Sequence, residues 1–345
     1  FTYEWDTTVW PDGTYVITLY ANDSVDNLAS YRIVVIVDNT PPIINIGGLV
    51  NRSIASGVVN ISIYSSDPYG VATWLVINGS LVASWSGVGD FTYEWDTTVW
   101  PDGTYVITLY ANDSVGNLAS YRVVVIVDNT PPSVLILYPT SNYTFLNTSV
   151  NITIYVNDTR LFEAKLYIND TLVTTWNRSG VHSYFWNVSL WGSGVYIIGI
   201  EARDYAGNIN YAQRIVLVDL EAPKIIIEGP KQGQTISTSE VEINGEIIDE
   251  LSGVDKVWVR LDDGEWKLAT IKDSEFYYKF EGVEEGSHTV WIKAIDKAGN
   301  IALEKIEFTV ELAKVSPVLV AILLLVVAVM VLAIIILRKK RSAEY

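Results

Sequence analysis

Alternating apolar and polar residues recur along this chain in short segments separated by turn-forming residues. From Gly13 to Asp23, the apolar side chains of Tyr15, Ile17 and Leu19 are separated by single intervening residues. A period of two is that of a β-strand with one buried face. The same inward positions recur downstream at Tyr105, Ile107, Leu109, Ala111, Tyr196, Ile198, Ile200, Ala202, His288, Val290, Ile292 and Ala294. These segments have no helical period, so the pattern predicts an all-β fold.

The pattern belongs to an internal repeat. Residues 1–42 return as residues 91–132 with two differences, and weaker copies follow, so the period is about 90 residues. Because residue 1 falls in mid-module, we expect a longer protein with a signal peptide or another domain upstream. The period and composition predict a partial module at 1–40, complete modules at 41–130, 131–221 and 222–312, a membrane span at 318–337 and a short basic tail at 338–345.

Short turns pair the strands within each module. Residues 71–85 read as strand, Asn78-Gly79 turn and strand, and Asn169-Asp170 and Asp263-Gly264 occupy the equivalent turns. About six or seven such strands per module indicate an antiparallel β-sandwich. Trp95 and Trp186 lie on alternating strand faces, which favours packing in a core over stacking on sugars.

A second turn recurs in every module with the common form A-x-D-x-x-G-N, and Asp26 replaces the Gly in the partial first module. Asp bonds the backbone two residues on, and Gly and Asn tolerate positive φ, so the motif predicts a tight turn between antiparallel strands. Asp23, Asp113, Asp204 and Asp296 are also candidate calcium ligands. Calcium needs six or more oxygens, and this turn alone does not supply them. We therefore predict no metal site and no cofactor, and leave calcium at the acidic joints between modules as an open alternative.

The joints between modules are short and rich in proline. The first spans 38–42, the second 128–132 and the third 219–223. Proline fixes φ and disfavours helix in the preceding residue, so stiff, extended connections are expected.

One segment near the C-terminus is uniformly apolar. Val318 to Leu337 comprises twenty consecutive apolar residues, enough for about 30 Å of helix, the thickness of a bilayer core. The basic run Arg338 to Arg341 follows, and such a run usually stays cytoplasmic. We predict a single-pass protein of the cell membrane, in contact with lipid through 318–337, with its modules outside and its C-terminus inside.

Charge and composition exclude several functions. The net charge of −17 without a basic stripe argues against nucleic acid as a partner. Cys is absent, so neither disulfides nor thiolate metal sites form. His182 and His288 are the only two histidines, they lie at strand positions, and no catalytic motif accompanies them. We predict no catalytic residues and no enzyme activity within this chain.

Sequons of the form N-x-S/T are concentrated in the first three modules. Asn60, Asn151 and Asn157 alternate with inward apolar residues and are therefore expected to face outward, as a glycan requires. Compositional bias is the alternative explanation. The glycosylation candidates are Asn22, Asn51, Asn60, Asn78, Asn112, Asn142, Asn147, Asn151, Asn157, Asn169, Asn177 and Asn187.

The last module has no sequon and carries mixed charge instead. Val241, Ile243 and Ile247 are expected to point inward, with charged residues between them pointing outward. Frequent Lys and Glu without Cys also suit a thermophile. Together with the sequons, this composition favours an archaeal cell envelope.

These motifs resemble those of bacterial-type immunoglobulin-like domains. The resemblance rests on D-x-x-G-V/I before a strand, a short N-G or D-G hairpin, W-D-T…D-G-T-Y, D-x-x-G-N and the D-N-T-P-P joint, and it covers residues 1–311. It implies tandem immunoglobulin-like antiparallel β-sandwiches followed by one C-terminal transmembrane helix. It also implies a tyrosine corner at the Tyr that opens the repeated strand, although His288 replaces that Tyr in the last module.

The function expected from these features is that of a non-catalytic cell-surface stalk, adhesion or envelope-scaffold protein. Its partners would be envelope polysaccharide, S-layer or other surface proteins, met through loops or sheet edges. The alternative is the membrane stalk of a larger secreted protease or glycoside hydrolase whose catalytic domain lies upstream.

Overall fold

The computed structural model describes residues 1–312 and 317–341, with side chains for 1–312 and 321–336. The chain divides into two compact units. The first contains Phe1–Leu137, Thr153–His182 and Gly199–Gln213, and the second contains Tyr138–Ile152, Ser183–Ile198 and Arg214–Tyr345. The predicted module boundaries stay predictions.

The first unit opens with a two-stranded hairpin of β1 (Gly13–Asn22) and β2 (Leu28–Val37). A three-stranded antiparallel sheet follows, in the order β3 (Ile43–Gly47), β5 (Val58–Ser66) and β8 (Gly89–Asp96). A five-stranded sheet has the order β4 (Ser53–Ala55), β10 (Leu118–Val127), β9 (Gly103–Asp113), β6 (Val71–Ile77) and β7 (Ser80–Ser86). Short 3-10 helices lie at Thr7–Val9 and Thr97–Val99.

The core of the second module lies between these two sheets. Ile61 and Ile63 of β5 and Trp95 of β8 meet Leu75 of β6 and Ile107 of β9, and each is at most 1% exposed. The intervening residues face out because the side chains of a strand alternate. The predicted inward positions of this module and the core placement of Trp95 are confirmed.

The third module contributes eight strands and a 3-10 helix at Val188–Leu190. In the first unit, β14 (Leu161–Ile168) pairs antiparallel with β15 (Thr171–Trp176) across the predicted Asn169-Asp170 turn. In the second unit, β12 (Thr144–Leu146) runs parallel to Val216–Val218. The other strands are β11 (Ser133–Tyr138), β13 (Val150–Asn157), β16 (Gly180–Trp186), β17 (Gly194–Asp204) and β18 (Ile209–Val218).

The last module forms two sheets in the second unit. The first has the order β19 (Lys224–Gly229), β21 (Val241–Ile248), β25 (Glu275–Phe280) and β24 (Thr270–Lys272). The second has the order β20 (Gln234–Ile236), β27 (Ile301–Val310), β26 (Gly286–Asp296), β22 (Val254–Leu261) and β23 (Lys267–Leu268). Val241, Ile243 and Ile247 are at most 2% exposed, as the alternation predicted.

The sandwiches, predicted as antiparallel, also contain short parallel pairs. Three short strands pair in parallel with a longer neighbour: β4 with β10, β12 with β18, and β20 with β27. Each pairing joins only three residues on each strand, at the edge of a five-stranded sheet. The alternation pattern reveals which face of a strand is buried and carries no information on the direction of its neighbour, so the sequence did not predict these pairs.

The C-terminal segment is helical from Pro317 to Arg341, as α1. The predicted span at 318–337 lies partly outside the residues whose side chains are described, and the side chains of the predicted tail at 338–345 lie wholly outside them. Among the described residues, no helix combines the length and the apolar character needed to cross a membrane. The predicted transmembrane helix is therefore not supported.

Candidate functional site

The A-x-D-x-x-G-N turns are organised by their aspartate. Asp113 Oδ1 accepts the backbone N–H groups of Val115, Gly116 and Asn117 at 2.9, 2.7 and 2.9 Å. Gly116 has φ +105°, a conformation that a residue with a Cβ rarely adopts. The motif closes β9 onto β10, as predicted. Asp23, Asp204 and Asp296 accept backbone N–H groups in the equivalent turns.

The last residue of this motif has a role that the sequence did not reveal. Asn117 Nδ2 donates to the backbone carbonyl of Asp38 in the first joint, at 3.1 Å. Asn208 and Asn300 make the same bond to Asp128 and Asp219, each at 2.9 Å. Each turn therefore holds the joint that enters its own module. The sequence did contain a signal for this contact, since every joint Asp is followed by a turn Asn in the next module.

The joints are also bonded to the module that precedes them. In the second joint, the Asn129 N–H donates to Asp102 Oδ1 at 2.7 Å, and Asn129 Nδ2 donates to the Thr97 carbonyl at 3.0 Å. Thr130 Oγ1 donates to Asp102 Oδ2 at 2.5 Å, and this hydroxyl lowers the pKa of Asp102. The conformation of the joint is therefore restricted by its prolines and by hydrogen bonds to both the preceding and the following module.

Three acidic side chains converge beside the first joint. Asp38 comes from the joint, Asp67 from the loop after β5 and Asp113 from the C-terminal end of β9, and one oxygen from each lies within 4.8 Å of the others. Asp67 and Asp113 are 5% and 6% exposed. Burial raises the pKa of Asp38, and the Asp113 and Asp67 carboxylates raise it further. We call this group the first carboxylate cluster.

The third joint has an equivalent group, within the second unit. Asp219, Asp249 and Asp296 also place one oxygen each within 4.8 Å of the others. Of the four turn aspartates considered as calcium ligands, Asp113 and Asp296 thus belong to such groups. The joint aspartates Asp38 and Asp219 fall under the open alternative of calcium at the joints, whereas Asp67 and Asp249, which follow β5 and β21, were missed because only the fold brings these separate segments together.

The second joint differs by having a basic side chain. Arg160 Nη1 lies 3.3 Å from Asp128 Oδ2, and Asp128 is 4% exposed. Burial raises the pKa of Asp158, the carboxylates of Asp128 and Asp204 raise it further, and the Arg160 guanidinium opposes them. A side chain of the protein itself thus neutralises part of the acidic charge at this joint.

The sequon asparagines lie mostly on the surface. Three are half-buried, namely Asn112, Asn147 and Asn187. Asn187 Oδ1 caps a 3-10 helix by accepting from the Ser189 N–H. The remaining nine are exposed: Asn22, Asn51, Asn60, Asn78, Asn142, Asn151, Asn157, Asn169 and Asn177. The outward orientation predicted for Asn60, Asn151 and Asn157 is confirmed, whereas their modification stays a prediction.

The aromatic and histidine side chains have structural contacts. Trp186 is fully buried, as predicted. Tyr105 Oη donates to the Pro101 carbonyl at 2.7 Å, which forms the predicted tyrosine corner. His288 replaces the corner in the last module, with Nε2 2.9 Å from the Glu284 carbonyl. His182 Nε2 lies 2.7 Å from a backbone carbonyl, that of Arg178. Both histidines thus bond backbone close to them in sequence.

Comparisons with known families match three segments of the chain. Residues 1–73 and 89–168 match the family described as bacterial Ig-like domain (group 3). Residues 223–292 match the family described as bacterial Ig domain. No curated protein matches the sequence. The chain is therefore built of tandem immunoglobulin-like β-sandwich domains.

Solved structures of other multidomain proteins are similar at low identity. A tetra-tandem repeat from the extending region of a large adhesion protein is 19% identical, with 88% of this chain and 82% of that chain covered and a TM-score of 0.36. A structure described for host cell surface retention of a bacterial ice-binding adhesin is 15% identical, with coverage of 80% and 100% and a TM-score of 0.32. Titin domains I67–I69 are 12% identical, with coverage of 79% and 99% and a TM-score of 0.45.

Proposed function

We propose that this chain of tandem immunoglobulin-like domains is a non-catalytic stalk or adhesion protein of the cell surface. The observation that carries the proposal is the recurring joint, in which the turn asparagines Asn117, Asn208 and Asn300 each hold the backbone of the joint that enters their module. Such bonds restrict the chain where successive domains meet. Restricted joints suit a protein that transmits position or force along its length.

The charge of the chain and the contacts of its histidines support a non-catalytic role. Among the described residues, His182 contacts a backbone carbonyl and the Trp176 ring, and His288 contacts a backbone carbonyl and the Asp262 carboxylate; neither is hydrogen-bonded to a serine or threonine hydroxyl. The acidic chain also disfavours nucleic acid as a partner. Hydrolysis of a peptide or polysaccharide substrate by the purified chain would contradict the proposal.

Adhesion and spacing are distinguished by the number of modules. Repeated weak sites add avidity, so an adhesin with three modules is expected to bind isolated envelope polysaccharide about a hundredfold more tightly than one with a single module. Affinities of chains spanning 41–130, 41–221 and 41–312 provide the measurement. Binding that grows with module number indicates adhesion, and no binding by any of them indicates a spacer.

We further propose a glycosylated surface, in an archaeal envelope. The exposure of nine sequon asparagines supports the first part. Mass spectrometry of the protein from its native host is expected to find higher glycan occupancy at exposed sites such as Asn60 and Asn151 than at half-buried Asn112. Unmodified asparagine at every sequon would contradict it. The archaeal setting rests on composition alone.

Attachment to a membrane through 318–337 is part of the same proposal. Its support is the run of twenty apolar residues and the basic residues that follow it. The full chain is expected to sediment with membranes and to be released by detergent but not by salt, whereas a chain ending at residue 312 is expected to stay in the supernatant. A full chain recovered in the supernatant without detergent would contradict attachment.

A further inference from the structure

The first carboxylate cluster carries negative charge that no described side chain balances. Among the residues whose side chains the structure describes, 1–312 and 321–336, no Lys, Arg or His forms an ion pair with Asp38, Asp67 or Asp113. Asp67 and Asp113 are both more than nine-tenths buried. Buried carboxylates without a cation are costly, because burial removes the water that would otherwise stabilise them.

Two oxygens of this cluster also lack a hydrogen-bond donor. Asp67 Oδ1 accepts the Tyr69 N–H at 2.8 Å, and no described group donates to Oδ2 of this 5% exposed residue. Asp38 Oδ2 is fully enclosed and has no hydrogen-bond partner either. Buried polar atoms in proteins are nearly always paired, so the enclosed, unpaired oxygen of Asp38 beside a second acceptor without a donor points to a missing positive ligand.

The second joint shows how the chain balances the same arrangement elsewhere. Arg160 there occupies the position of Tyr69, because each lies two residues after the loop aspartate and donates its N–H to that aspartate's Oδ1, at 2.5 and 2.8 Å. The guanidinium of Arg160 reaches the joint aspartate, Asp128, at 3.3 Å. Where the chain has tyrosine instead, the equivalent cation has to come from solution.

We propose that the first carboxylate cluster, formed by Asp38, Asp67 and Asp113, binds a calcium ion that ties the first joint to the module it enters. Oxygen ligands without His or Cys suit a hard cation. Oxygens separated by up to 4.8 Å fit opposite sides of one ion with Ca–O bonds of about 2.3–2.6 Å. Water and backbone carbonyls supply the remaining ligands that calcium requires.

The ion would connect the first joint to two segments of the module that follows it. Asp38 belongs to the joint, whereas Asp67 lies in a loop of the second module and Asp113 at the end of its strand β9. The Asn117 side chain already bonds the Asp38 carbonyl, so a shared cation would add a second tie at the same residue. The joint would then be more rigid in the presence of calcium than in its absence.

Calcium titration of the full chain in detergent, after removal of metal with chelator, tests the proposal. Calorimetry is expected to detect a dissociation constant of about 10⁻⁴–10⁻³ M, the range typical of extracellular modules. Asp67→Asn retains the Oδ1 acceptor and removes one charge, and is expected to abolish one equivalent of binding or weaken it at least about tenfold. Tyr69→Arg is expected to remove the same equivalent by introducing the guanidinium present at the second joint.

Asp158→Asn is the matched control, since it makes the same change beside Arg160, and its calcium binding is expected to equal that of the parent. Circular dichroism establishes that each variant is folded. Loss of one equivalent in both Asp67→Asn and Tyr69→Arg, but not in Asp158→Asn, supports the site. Absence of binding by the parent at about 10 mM calcium, or unchanged binding in a folded Tyr69→Arg variant, would overturn it.

Discussion

His288 shows how one residue replaces the tyrosine corner of the other modules. Its Nε2 lies 2.9 Å from the Glu284 carbonyl and its Nδ1 lies 2.8 Å from Asp262 Oδ2. Both neighbours are hydrogen-bond acceptors, so the arrangement is fully satisfied only when both ring nitrogens carry protons. Burial lowers the pKa of His288, but the hydrogen bonds to Asp262 and to the Glu284 carbonyl outweigh it, and the pKa is raised above 6.5.

This raised pKa predicts a pH dependence of stability. The stabilisation by the imidazolium is complete below the unfolded-state pKa of about 6.5 and is lost as the pH rises through the higher folded-state pKa. His288→Tyr keeps an Oη donor for the corner and removes the titration. Urea unfolding at about pH 5.5 and about pH 8.5 is expected to show a loss of stability at the higher pH in the parent and a smaller loss in the variant. Equal losses in both proteins would contradict this role of His288.

At the scale of elements, the first sheet of the last module depends on one close approach. Gly245 lies in β21 between β19 and β25. A Cβ at this position would lie 2.0 Å from the Ile226 carbonyl oxygen and 2.9 Å from Phe276 Cε1. The first contact is with backbone, which cannot rotate away as a side chain does. A register shift between Ile227 and Gly229 accompanies this pairing of β19 with β21.

Gly245→Ala is therefore expected to destabilise the last module by at least about 3 kcal/mol. Thermal unfolding measures the effect. Gly103→Ala is the control, since Gly103 also lies in a strand, a Cβ there would meet nothing within 4 Å, and its φ is not in the positive region. Similar melting temperatures for the two variants would show that the strands separate at little cost.

The second sheet of the last module covers its outward aromatic rings with basic side chains. Arg260 lies over Trp266 at 5.0 Å, and Lys293 lies over the same ring at 4.7 Å. Lys305 lies over Trp291 at 5.7 Å. The mixed charge that the sequence assigned to solubility thus also makes cation–π contacts, which strand alternation alone does not reveal because they join three different strands.

At the scale of the whole molecule, identical sequences differ in burial. Ile17 is 40% exposed and Ile107 is fully buried, although the residues around them are the same. Leu19 and Leu109 differ in the same way, at 66% and 0%. The second copy packs against β6 and faces the sheet of β3, β5 and β8, whereas the described residues around the first copy form only the β1–β2 hairpin.

The difference predicts unequal costs for the same substitution. Ile107→Ala is expected to lower the free energy of unfolding of its module by about 2–5 kcal/mol, because it empties a packed core. Ile17→Ala removes a side chain that water already contacts, and is expected to cost less than about 1 kcal/mol. Denaturant unfolding of the two variants in the same chain gives the comparison. Equal effects would show that the first hairpin is packed in solution.

The sequence determined the local structure because local structure depends on near neighbours. Alternation at Val241, Ile243 and Ile247 established which face is buried, and D-x-x-G-N established the turns. Only the tertiary structure decided which distant groups meet. Asp38, Asp67 and Asp113 converge because the fold brings the joint, the loop after β5 and the end of β9 together, and Asn117 reaches the joint for the same reason. Likewise, Ile17 and Ile107 have the same neighbours in sequence and differ only in the strands packed against them, since burial is a property of the surroundings.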